Sequence, residues 1–404
     1  MQYFTLLSGV VNGQGPPYFA LNQHLKAILH KSNEYLKLPP MALKVGIIGL
    51  PNVGKSTLFN ALTKTRGANA SNFPFCTIDP NVGIVEVPDE RLKKISDIVS
   101  PEKIVPAAVE FVDIAGLVKG AHKGEGLGNQ FLAAIREVHA LCHIVRFFES
   151  SDITHVEGSI DPKRDRETIE TELCLKDLQT VTDRIDKMGS AGRVGNKESQ
   201  KEFEILEKIK DCLNNSLFAS TLSFTDEEAL IVKSFFLLTD KPLIYAANVS
   251  EEQMHTLSIA DARTQLGVPE DTEVITVSAK IEEDLQDLSD EEAKEFLDDL
   301  SVTSSGLDRL IHAAYAALGY ITYFTAGPKE ARAWTIPKGA LAPQAAGVIH
   351  TDFEKGFIRA ETIAYDDFIE FGGEAGAKEK GKMRSEGKDY VVKDGNVILF
   401  KFNV

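Results

Sequence analysis

The chain has 404 residues, with 44 Lys plus Arg against 60 Asp plus Glu, a formal net charge of −16, and 43% hydrophobic and 26% charged residues. That is room for two or three globular domains, and too apolar a composition for a disordered chain. The acidic balance speaks against a DNA-coating surface, and no apolar run approaches the ~18 residues of a membrane span, so neither DNA nor membrane is an expected partner.

Residues 1–40 precede a second methionine, Met41, and lack arginine, a long apolar core and a small-residue cleavage site. They read as an N-terminal extension, disordered or a wrongly assigned start, with a helical pattern near Leu21–Leu36. The first firm element is the run Lys44-Val45-Gly46-Ile47-Ile48, a buried strand, followed by Gly49-Leu50-Pro51-Asn52-Val53-Gly54-Lys55-Ser56 and then a helical pattern from Ser56 to Leu62. A strand, a glycine-framed loop ending in Lys-Ser and a helix make a phosphate-binding loop. Gly49 and Gly54 allow the tight turn that points N–H groups at phosphate oxygens, and the helix N-terminus adds a favourable field. Asn52, Val53, Gly54, Lys55, Ser56 and Thr57 form the candidate phosphate cradle. Lys55 reaches the β and γ phosphates, and the Ser56 hydroxyl is a Mg2+ ligand.

Downstream, Phe73-Pro74-Phe75-Cys76-Thr77 lies where switch-type enzymes place a threonine that closes on magnesium, which makes Thr77 a candidate metal ligand. Ala107–Asp113 is a strand ending on a carboxylate, followed by Ile114-Ala115-Gly116. Asp113 is placed to hold Mg2+ and the Gly116 N–H to contact the γ-phosphate.

Strands are expected at 44–49, 82–87, 107–113, 141–148, 242–248 and 273–277, alternating with helices as in a mostly parallel α/β sheet. The long interval between the fourth and fifth strands calls for an inserted unit. Within it, Leu175, Leu178, Val181, Ile185 and Met188, and then Phe203, Leu206, Ile209 and Leu213, recur at helical spacing. A glycine-rich stretch at 189–196 separates them, which predicts an antiparallel helical hairpin. Two strand ends then face a base pocket, Asn248-Val249-Ser250-Glu251 and Ser278-Ala279. Guanine-binding relatives carry Asn-Lys-x-Asp at the first of these. Val249 and Glu251 remove the stacking lysine stem and displace the acceptor, which favours adenine.

After a helix at 306–318, Gly319 marks a boundary, and residues 321–404 read as a small β-rich α+β domain. Strands are expected at 331–336, 391–392 and 397–402, with Asp394-Gly395 turning between the last two. This region has twelve basic and twelve acidic residues. Lys378, Lys380, Lys382, Arg384 and Lys388, with Arg332, His350 and Arg359, are candidates for contact with RNA phosphates, with a merely solvated surface as the alternative, since Glu379 and Glu386 interrupt the run. The four cysteines, Cys76, Cys142, Cys174 and Cys212, show neither zinc nor redox spacing, as in a reduced cytoplasmic protein.

The ordered set of phosphate loop, Asn72-Phe73-Pro74-Phe75-Cys76-Thr77, Asp113-Ile114-Ala115-Gly116-Leu117-Val118-Lys119-Gly120-Ala121 and Asn248-x-x-Glu251 resembles the YchF/Obg-like ATPase family of the translation-factor-related P-loop class, from about Met41 to Val404. The resemblance implies a nucleotide-binding domain of OBG type at 41–160 and 240–320, a helical coiled-coil insertion at 161–239, and a TGS domain of ubiquitin-like β-grasp fold at 321–404. It also implies ATP in preference to GTP, and ribosomal RNA and proteins as partners. Hydrolysis would be in-line attack of water on the γ-phosphate, governed by positioning and charge stabilisation. Many relatives orient that water with a glutamine after the Asp-x-x-Gly element. Leu117 stands there and can neither donate nor accept a hydrogen bond, so slow turnover is expected unless another group supplies the function. His122, in a loop whose glycines allow it to move, is the nearest titratable candidate to supply the function, with a solvated loop histidine as the alternative. Glu125 and Asn129 read as loop and helix-cap residues. A Mg2+-dependent ATPase switch on the ribosome is the expectation; the alternatives are a GTPase of the same fold, or a ribosome- or RNA-binding module with incidental hydrolysis.

Overall fold

The structure, a computed structural model, describes residues 43–65, 81–114, 135–150, 158–299, 302 and 304–403. β1 (Leu43–Ile48) leads through the phosphate loop into α1 (Lys55–Thr65). β2 (Val82–Glu86), α2 (Glu90–Val99), the short β3 (Lys103–Val105), β4 (Ala108–Asp113) and β5 (Ala140–Arg146) follow, and β6 (Leu243–Asn248) and β7 (Val274–Val277) complete the first sheet. Its strand order is β2-β4-β1-β5-β6-β7. β2 runs antiparallel to β4 and the remaining pairs are parallel. Every residue of β5 is buried, as a parallel strand covered on both faces requires. All six predicted strands form, with ends within two residues of expectation.

The interval between β5 and β6 holds α3 (Pro162–Val194) and α4 (Lys197–Asn214). Asp161 starts α3 by accepting the Arg164 N–H, and Asn196 starts α4 by accepting that of Ser199. The predicted loop at 189–196 shrinks to a break at Gly189 (φ 50°) and a turn at 195–196, with helical backbone between them. Glycine adopts that left-handed conformation without a Cβ clash. The apolar stripe also differs by one position. Leu175 is 58% exposed, whereas Cys174, 3% exposed, lines the seam with Leu178, Val181, Ile185 and Met188. Val232 of α5 (Asp226–Lys233), with Ala219, Phe235 and Leu237, completes the hairpin's own core. Asp177 pins α3 to the segment entering β6. Its carboxylate accepts from Leu238 N–H (3.0 Å), Thr239 N–H (2.8 Å) and Thr239 Oγ1 (2.6 Å).

Helices α6 (Glu251–Thr256) and α7 (Ile259–Leu266) follow β6, and α8 (Ala279–Asp284), α9 (Asp290–Asp299) and α10 (Gly306–Ala317) follow β7. The C-terminal part comprises β8 (Tyr320–Ala326), β9 (Glu330–Pro337), α11 (Ala342–Ile349), α12 (Thr351–Lys355), β10 (Phe357–Ile363), α13 (Tyr365–Glu370), α14 (Glu374–Glu379), β11 (Arg384–Glu386) and β12 (Val397–Phe402). In its sheet, ordered β11-β10-β12-β8-β9-β3, the first and last C-terminal strands, β8 and β12, lie side by side and parallel, the β-grasp arrangement.

The sixth strand was not foreseen: β3, from the nucleotide-binding part, pairs in parallel with β9. The predicted hairpin across Asp394-Gly395 does not form. Val391 instead bridges Leu341, and β12 is paired with β10 and β8. The Asp394 carboxylate accepts the Thr322 N–H at 2.9 Å and meets the Arg91 guanidinium of α2, so this turn joins the two sheets. Leu92 and Ile95 of α2 share one apolar cluster with β1 and with Phe324, Ala331 and Ile363 of the second sheet.

Candidate functional site

The loop after β1 is shaped by positions where a side chain does not fit. Gly49 has φ 147°, and a β-carbon there would lie 2.4 Å from the Ile144 carbonyl oxygen. Gly54 has φ 95°, and its β-carbon would lie 2.3 Å from Asn248 Nδ2. Asn52 also takes a left-handed φ of 63°, which asparagine tolerates better than most residues. Val53 is buried beneath the loop and anchors it. Lys55, 8% exposed, opens α1 and turns its ammonium back onto the Leu50 carbonyl oxygen. Ser56 is exposed and Thr57 half-buried in the same first turn.

Asn248, 2% exposed at the end of β6, ties three loops together. Its Nδ2 donates to the Val53 carbonyl at 2.8 Å, and its Oδ1 accepts the Ala279 N–H at 3.0 Å. Ser278 is buried, and its hydroxyl caps α8 by accepting the Ile281 N–H at 3.4 Å. The structure therefore brings Asn52 to Thr57, Asn248, Ser278 and Ala279 together along the ends of the parallel strands. Ligands of open α/β sheets bind there. Asp113 ends β4 on the same edge, in register with Ile47, and its N–H donates to Asn81 O at 2.9 Å.

Val249 contributes no side chain to the pocket. Its side chain is buried among Phe147, Tyr245, Ala262 and Leu266, because β6 delivers it to the face covered by α7, and its N–H donates to Val277 O at 2.9 Å. Glu251 is exposed at the first position of α6. Thr77, Gly116, Leu117 and His122, like Glu125 and Asn129, lie outside the described residues. Sequence reasoning missed the wall beside Asn248. Arg146, buried at the end of β5, donates to Phe148 O at 2.9 Å and lies over the Phe148 ring, and Phe147 N–H donates to Asn248 O at 2.9 Å. The one available signal was an Arg-Phe-Phe run at a strand end. His143, buried on β5, has its basicity pushed down to about 3 by burial and by Arg166 and Lys55, so the imidazole is neutral.

The basic residues of the C-terminal part do not gather as one free patch. Lys378, Lys380 and Lys388 are exposed. By contrast, Lys382 pairs with Asp367 (3.0 Å), Arg384 with Glu386 (3.2 Å), Arg359 with Glu361 (3.1 Å) and His350 with Asp352 (3.4 Å), and Arg332 stacks on Trp334. Among the described residues no helix is long and apolar enough to cross a membrane.

A phosphate loop closed by Asn248, Asp113 on the same sheet edge and a β-grasp C-terminal sheet define the class: a P-loop domain of the GTPase fold with a C-terminal α+β domain. Residues 44–178 match a family described as 50S ribosome-binding GTPase, and residues 320–403 match the YchF GTPase C-terminal family, described as a protein of unknown function. The ribosome-binding ATPase YchF of Bacillus subtilis is 55% identical over 368 residues, covering 90% of this chain and 100% of that one. Its namesake from Haemophilus influenzae is 54% identical over 364 residues with the same coverage. The solved YchF GTPase of Schizosaccharomyces pombe is 39% identical, with a TM-score of 0.81 over 90% of this chain and 99% of that one. The chain belongs to the YchF family.

Proposed function

We propose that the chain is a cytoplasmic, Mg2+-dependent ATPase that cleaves the β–γ phosphoanhydride bond and acts as a nucleotide switch on the ribosome. The observation that carries this reading is the double hydrogen bond of Asn248, which holds the phosphate loop and the base loop in one unit. The Ser56 hydroxyl and the Asp113 carboxylate are hard oxygen donors suited to Mg2+, with Thr77 as a further ligand from the sequence. The ion, when bound, neutralises charge on the β and γ phosphates. Lys55 and the loop N–H groups bind and orient the same phosphates, and Gly116 N–H holds the γ-phosphate. Leu117 leaves water orientation to another group, for which His122 is the candidate; without such a group turnover would be slow.

Adenine is favoured because Val249 turns into the core and Glu251 replaces the aspartate that would accept both guanine N–H donors. The second reading, GTP hydrolysis, draws on the GTPase designation of the fission-yeast relative. Ribosome association draws on the names of the bacterial relatives, with Lys378, Lys380 and Lys388 as the exposed candidates for rRNA phosphates. Co-sedimentation with ribosomes in ATP, ADP and nucleotide-free buffer tests the switch. Binding should differ between ATP and ADP, since a switch requires differential affinity. Sedimentation independent of nucleotide would reduce the chain to a passive ribosome-binding module.

A further inference from the structure

Helix α10 is fixed at one end to the base loop and at the other to the C-terminal sheet. At its start Glu282 of α8, 3% exposed, accepts the Gly306 N–H at 2.6 Å and also that of Leu307. These are first-turn donors that no helix carbonyl can serve. The Glu282 backbone N–H donates in turn to Ser278 O at 3.0 Å. Arg309, one turn along, donates to Thr276 O at 2.9 Å and Ser304 O at 2.6 Å, which grips the end of β7. The approach is close: a β-carbon on Gly306 would lie 2.8 Å from Val277 Cγ2. At the far end the Tyr315 hydroxyl meets Ile321 O (3.2 Å), Thr322 Oγ1 (2.8 Å) and Thr335 Oγ1 (3.0 Å), on β8 and β9. A cleft of about 590 Å³ flanks this end, between α10, α2 and β8.

We infer that Glu282 is a positioning residue for the base pocket: through α10 it couples the placement of Ser278 and Ala279 to that of the C-terminal sheet. The inference rests on the reading of the Asn248 and Ser278 loops as a nucleotide-base site. A helix of 12 residues is a stiff body about 18 Å long, so a displacement of its first turn is felt at Tyr315. By linkage, a partner seated on the C-terminal sheet changes nucleotide affinity by the factor with which nucleotide changes the partner's.

The test uses the full chain with Mg2+ and ADP, in the wild type, Glu282→Ala and Tyr315→Phe. ADP affinity and amide hydrogen exchange of β8 and β9 are measured on the same samples. In the wild type ADP should slow exchange of β8 and β9 by about fivefold or more, and in both variants the effect should fall below about twofold. ADP affinity should drop by about tenfold in Glu282→Ala, which removes the acceptor outright, and stay within about twofold in Tyr315→Phe, whose hydroxyl is remote from the pocket. Equal ADP protection in all three proteins, no protection in the wild type, or wild-type affinity in Glu282→Ala overturns the proposal. A wild type that binds no ADP removes the nucleotide reading itself and the proposal with it, and the titration shows this independently of exchange.

Discussion

Gly54 shows how narrowly the site is built at the scale of one residue. Its φ of 95° and the 2.3 Å approach of Asn248 Nδ2 mean that a methyl group displaces the amide holding Val53 and Ala279. Gly54→Ala should therefore weaken ATP binding by about tenfold or more in an equilibrium titration. Affinity within about twofold of wild type would contradict the fit. Glu282 gives a second test. Burial, only partly offset by the N–H groups of Gly306 and Leu307 and by Arg309, raises its carboxyl from the ordinary 4.5 to about 7.

The folded chain then holds a proton that the unfolded chain has released. This group's contribution to stability is full below about pH 4.5 and is lost as pH rises through about 7. Glu282→Gln should gain stability relative to wild type between pH 5 and pH 8, by on the order of 3 kcal/mol at most, read as the difference in denaturation midpoints. A difference that shrinks over that range would contradict the assignment. The cradle residues were legible because phosphate chemistry dictates their types and spacing. Glu282 was not, because it heads the acidic run Glu282-Glu283-Asp284 and nothing local tells which carboxylate is buried. The direction of the Val249 side chain was not legible either, because strand ends do not announce which face a side chain takes.

Among elements, the hairpin of α3 and α4 has its own apolar core, and Asp177 is its anchor to the sheet. Asp177→Ala leaves the buried N–H groups of Leu238 and Thr239 without an acceptor, at about 1–3 kcal/mol each. Chemical denaturation should show a loss of about 2–5 kcal/mol, and amides at the root of α3 should exchange faster. Unchanged stability would mean that water or another group replaces the carboxylate. The hairpin was legible from its period, but its phase was not fixed. Cys174 and Leu175 are adjacent apolar residues, and only the contact with α4 selects the first. β3 was illegible because three residues carry no pattern, and its partner β9 lies more than 200 positions away. The Asp394-Gly395 turn kept its local geometry, but its strands pair elsewhere, since long-range pairing outweighs a two-residue turn signal.

For the whole molecule, two sheets share one core through α2 and are bridged by β3, by Arg91 with Asp394, and by α10. A change at the phosphate loop thus has direct physical routes to the C-terminal sheet, which is what a nucleotide switch needs. The acidity of the chain lies almost wholly before residue 321, so the neutral C-terminal part is the surface best suited to approach RNA. The central claim is that this P-loop fold has been turned toward adenine, and equilibrium affinities for ATP and GTP in the presence of Mg2+ test it most directly. The account predicts tighter binding of ATP; tighter binding of GTP would contradict it.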